Sequence, residues 1–100
     1  MSNENNNNKI TISIKVPEDV EKGVYANAMQ VGHSRDEFVL DFINFIPHQN
    51  SGTVNARVVL TPSALKRIIA ALQDNLSKYE KNYGTVEYDD QSSIGFTPDK

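Results

Sequence analysis

Residues 54–84 read VNARVVLTPSALKRIIAALQDNLSKYEKNYG, and within this stretch the apolar repeat changes from every second residue to every third and fourth. Val54, Ala56, Val58 and Leu60 alternate with Asn55, Arg57 and Val59, the period of a strand that turns one face to a core. Thr61 then offers a side-chain oxygen at an N-cap, and Pro62 takes the first helical position, where its missing N–H forfeits no hydrogen bond. From there Leu65, Ile68, Ile69, Leu72, Leu76, Tyr79 and Tyr83 form a single apolar stripe, and Gly84 stands where a left-handed C-cap is expected. Asp74 and Lys78 are spaced to pair along the helix. Fully buried, the stripe would contribute on the order of 10–20 kcal/mol before entropy, at ~1.5–3 kcal/mol per side chain.

Upstream of this junction the chain reads as strands. Ile10, Ile12, Ile14 and Val16 alternate with Lys9, Thr11, Ser13 and Lys15, a strict two-residue period of β-branched residues that predicts a half-buried strand ended by Pro17. The acidic connection over residues 18–22 has room for one helical turn before Gly23. Residues 24–31, VYANAMQV, predict a second strand, and the polar GHSRDE after it has the length of a turn between antiparallel neighbours. Residues 38–46, FVLDFINFI, predict a third. Phe38, Leu40, Phe42 and Ile46 share one face, while Val39, Ile43 and Phe45 load the other around Asp41. With the strand over 54–60, the expected architecture is α+β: a four-stranded antiparallel sheet packed by one long C-terminal helix. Val39, Ile43 and Phe45 would then lie on the sheet face away from the helix, and a second copy of the chain is the simplest cover for them.

The ends differ in character. Residues 1–8 are an Asn-rich lead, expected to be disordered; residues 9–84 form the single domain; residues 85–100 are expected to be a flexible acidic tail. The tail carries four acids against one Lys, which accounts for the net charge of −3, since residues 1–84 hold nine basic and nine acidic side chains. Tyr88, Ile94 and Phe96 are spaced through it as anchors of a short binding motif would be, although a solubilising tail needs no such role.

One hundred residues make one domain, and ten Lys and Arg in an acidic chain argue against nucleic acid as a partner. Without cysteine there are no disulfides, thiolate metal sites or Cys nucleophiles. Apolar runs of at most five residues do not span a bilayer, and MSNENNNNK lacks the regions of a signal peptide, so a cytoplasmic protein without membrane attachment is expected. His33, Ser34, Asp36 and Glu37 supply residue types found in catalytic triads, yet Ser, Asp and Gly are also what turns use. A metal site would need His33, His48 and a carboxylate to converge, which no spacing demands, and neither a metal nor a cofactor is expected. Asp41 interrupts an apolar strand and can pair with Arg57 across the sheet, a simpler role than ligand binding. Tyr25 and Asn27 carry the same ambiguity between strand packing and substrate contact.

Three segments of the chain together resemble a small bacterial family of unknown function. They are Tyr25, Ala26 and Asn27; Val31, His33, Ser34, Glu37, Phe38, Leu40, Asp41 and Phe42; and residues 56–62 before a helix ending in Lys78, Tyr79 and Glu80. The resemblance covers about residues 10–84 and implies no activity, substrate or catalytic residue. Gly32 departs from the small polar residue more usual there. The layout of four strands before a helix also resembles the Sec-pathway export chaperone, whose oligomers hold unfolded chains, though this likeness is one of fold alone. The sequence therefore predicts a non-enzymatic protein-interaction or chaperone-like module, a homodimer or higher oligomer with an unidentified protein partner. The alternative is a small-molecule-binding or enzymatic domain built around Tyr25, His33, Asp41 and Arg57.

Overall fold

A computed structural model describes residues 10–88. The acidic connection forms a single helical turn, α1 (Glu18–Glu21), closed by Gly23 at a φ of 75°, where a side chain would be strained. Three strands follow, β1 (Ala28–His33), β2 (Phe38–Ile46) and β3 (Ser51–Leu60), paired antiparallel in the order β1-β2-β3. Ser34 N–H donates to the Glu37 carbonyl to close the first hairpin. The second hairpin turns through a short 3-10 helix (Pro47–Gln49) and Asn50 at a φ of 50°, a left-handed position that Asn tolerates well. Because that turn is tighter than the expected loop, β3 starts at Ser51 and not at Val54.

The helix α2 (Pro62–Tyr83) has the predicted boundaries. Thr61 Oγ1 accepts from Ala64 N–H at 3.2 Å, and the Gly84 N–H donates to the Glu80 carbonyl at 2.8 Å. Gly84 has a φ of 99° and a ψ of 164°, so it ends the helix in a glycine-favouring conformation outside the left-handed helical region that was expected. Glu80 also accepts from the Val86 N–H, and Lys78 pairs with Asp74 at 3.2 Å.

Two expectations need correction. Of the strand predicted over residues 9–16, the described part from Ile10 onward forms none: among the described residues the sheet has three strands, and Ile10, Ile12, Ile14 and Val16 stand 63–84% exposed. A strand is defined by its neighbour, and among the described residues this segment has none. Nor does the helix cover the sheet. Sustained contact joins β1 to β2 and β2 to β3, while α2 touches the sheet only marginally and leaves Ile68, Ile69, Leu72, Leu76, Tyr79 and Tyr83 exposed. The helix springs directly from β3 through Thr61, with no loop to fold it back, and it projects from the sheet. The expected lead over residues 1–8 and the tail from residue 89 onward lie outside the described residues. Residues 85–88 carry neither helix nor strand.

Candidate functional site

Antiparallel partners project to the same side of a sheet, so the register assigns the two faces. The first carries Phe38, Leu40 and Phe42 of β2, flanked by His33, Val31 and Met29 of β1 and by Leu60, Val58 and Ala56 of β3. The second carries Val39, Asp41 and Ile43, with Gly32, Gln30 and Ala28 on one side and Val59, Arg57 and Val54 on the other. A bulge intervenes between Phe42↔Ala56 and Ile43↔Val54, leaving Asn55 as the extra residue. It moves Val54 off the face of Val58, where simple alternation had placed it.

Three polar residues form a row across the middle of the second face. Arg57 donates from Nε to Asp41 Oδ1 at 2.7 Å and from Nη2 to Oδ2 at 2.8 Å, the planar two-point pairing that a guanidinium makes with a carboxylate. The cross-strand pair expected from the sequence is therefore present. Asp41 is the one buried charged residue among those described, at 5% exposure, whereas Arg57 lies over it largely in solvent. The hydrogen bond from Arg57 holds the Asp41 carboxyl below its ordinary value; burial opposes this, and the charge of Arg57 and a hydrogen bond from Gln30 reinforce it. Both carboxylate oxygens are thus engaged by Arg57, and the pair fastens β3 to β2.

Asn27 and Asn55 organise the end of the sheet near the second hairpin. The Asn27 side chain accepts from the Phe45 N–H at 2.8 Å and donates to the Phe45 carbonyl at 3.0 Å, replacing a strand residue with its own amide. Its backbone N–H donates to the Ile43 carbonyl. Asn55 Nδ2 donates to the Tyr25 carbonyl at 2.6 Å, which draws the chain before β1 across toward β3. These bonds give Asn27 a structural task. Tyr25 enters through its backbone, with its side chain exposed.

The sequence-predicted site residues do not converge. Asp41 and Arg57 meet, joined by Gln30, which the sequence reading had passed over although it stands opposite Asp41. His33 lies on the other face at the far end of the sheet, its ring 5.1 Å from that of Phe38. Tyr25 and Asn27 sit at the opposite end from His33. His48 is in the 3-10 turn, and no group of three His, Asp or Glu among the described residues is placed to hold a metal ion. Of the three residues expected to form an interface, Ile43 is buried within the chain at 6% exposure, and Val39 and Phe45 are half-buried. The exposed apolar surface lies elsewhere: on residues 10–16, on Met29 and Val31 of β1, on Val58 and Val59 of β3, and along α2.

Fold and site together define a small α+β protein with a salt-bridged three-stranded sheet and a projecting amphipathic helix. The chain belongs to the family described as Protein of unknown function (DUF3467), whose model matches residues 1–88. No curated protein and no solved structure matches it. No helix among the described residues is long and apolar enough to cross a membrane.

Proposed function

We propose that the protein is a non-enzymatic interaction module of the cytoplasm, working as a homodimer or higher oligomer that holds a protein partner in a chaperone-like way. One observation carries this reading. Only Leu40 and Ile43 are buried among the large apolar side chains described, while the helix stripe and the residue 10–16 segment lie open. With so few large apolar side chains fully buried, the described residues have little burial to set against the entropy of ordering the chain. Apolar surface presented in this amount serves association. The polar row gives the alternative little support, because the carboxylate is already engaged by Arg57 and His33 faces away from it.

The test is light scattering on the full-length protein with an aggregation assay beside it. We expect a mass of at least twice 11.2 kDa and slower aggregation of a reduced, unfolded reporter protein. A monomer that leaves the reporter's aggregation unchanged would overturn the reading.

A further inference from the structure

We propose that residues 10–16 of one copy form a fourth strand on the β1 edge of a second copy, exchanged reciprocally about a twofold axis. This rests on the oligomeric reading above and names the elements that join. The segment is built as a strand: its four apolar side chains alternate with Thr11, Ser13 and Lys15, and its backbone groups have no hydrogen-bond partner among the described residues. Each N–H and C=O so placed favours a sheet edge that presents the complementary row.

Two edges are open, and they differ. The β3 edge carries Arg57 and the bulge at Asn55, both of which discourage strand addition. The β1 edge, AMQVGH, has no proline, lysine or bulge, and its six residues match the seven of the segment in length. The faces match too. Met29 and Val31 are exposed on the first face, so Ile10, Ile12, Ile14 and Val16 placed beside them extend an apolar surface already made by Phe38, Leu40, Phe42 and Val58. Thr11, Ser13 and Lys15 then fall on the second face, in line with its polar row of Gln30, Asp41 and Arg57.

The acceptor belongs to another copy because of the route the chain takes. The bond from Asn55 to the Tyr25 carbonyl leads the chain before β1 toward β3, the edge away from β1. To reach its own β1 edge the segment would have to recross the sheet.

The protein has no cysteine, so introduced thiols report the pairing directly. Full-length Ser13→Cys and Gln30→Cys variants, unfolded together and refolded as a mixture, are treated with a short bismaleimide. We expect a covalent dimer from the mixture in at least tenfold excess over that from either variant alone. Hydrogen exchange of wild type should show amides 11–16 and 28–33 protected together, and Ile12→Asp/Ile14→Asp should lose that protection. A dimer by light scattering without the mixed cross-link and without protection at 11–16 would reject strand exchange while leaving the oligomer intact. A doubly substituted Ser13→Cys/Gln30→Cys chain that cross-links within itself would place the strand on its own sheet and also reject it. A monomer would remove both the exchange and the oligomeric reading beneath it.

Discussion

Asp41 shows how one side chain can tie a sheet together and make it sensitive to acid. Its carboxyl is held below the ordinary value of 3.8, chiefly by the hydrogen bond from Arg57. A carboxylate whose folded value is depressed stabilises the fold above its unfolded value, and that stabilisation is lost as pH falls through the folded one. Denaturant titrations of wild type should therefore weaken from about pH 4 downward. Asp41→Asn should have a lower melting temperature at pH 7 and a flatter profile below pH 4; a wild-type melting temperature at pH 7 would show that the pair fastens nothing. Gly52 is the second decisive residue, for the opposite reason: it matters through what it lacks. A Cβ there would lie 2.9 Å from Cγ2 of Ile43, a branch held at a buried Cβ that cannot swing aside. Gly52→Ala should cost about 1–3 kcal/mol in urea unfolding, the range for overpacking a tight contact. An unchanged midpoint would mean that the hairpin yields freely.

Among the elements, the helix separates what local sequence can specify from what it cannot. Its start at Thr61-Pro62, its end at Gly84 and its Asp74–Lys78 pair were all legible, because each depends on residues within one turn. The layer it joins depends on distant contacts, and the same stripe that predicted a packed helix is exposed within one chain. The residue 10–16 segment repeats the lesson: alternation revealed a strand pattern but could not reveal that no partner stands beside it among the described residues. Asp41 and Arg57 were legible as a pair because they interrupt the apolar pattern of consecutive strands, whereas the bulge at Asn55 left no mark in the alternation and misplaced Val54. Leu72, at the centre of the stripe and 66% exposed, measures what covers the helix. In a free monomer Leu72→Ala would change stability by within ~0.5 kcal/mol, as surface substitutions do. Covered by a second copy or partner it should cost ~2–5 kcal/mol. We expect the larger loss in denaturant titrations at micromolar protein, and a loss within ~0.5 kcal/mol would exclude Leu72 from the buried surface.

At the scale of the whole molecule, the single chain is a set of well-formed elements without a shared core. Local hydrogen bonds define β1, β2, β3 and α2, yet among the described residues only the central strand contributes buried large apolar side chains, Leu40 and Ile43. If, as proposed, association completes the burial, folding and assembly become one equilibrium and stability depends on protein concentration. For a dimer that unfolds directly to two separate chains, each tenfold dilution removes about 1.4 kcal/mol per dimer. Spread over the unfolding entropy of two such chains, this lowers the melting temperature by about 3–6 °C per tenfold dilution. Scanning calorimetry or circular dichroism from one to one hundred micromolar should resolve the slope, and light scattering over the same range should show dissociation only where unfolding begins. A melting temperature independent of concentration, with a mass of 11.2 kDa throughout, would mean that the chain is stable alone and that its helix and N-terminal segment find their cover within one copy.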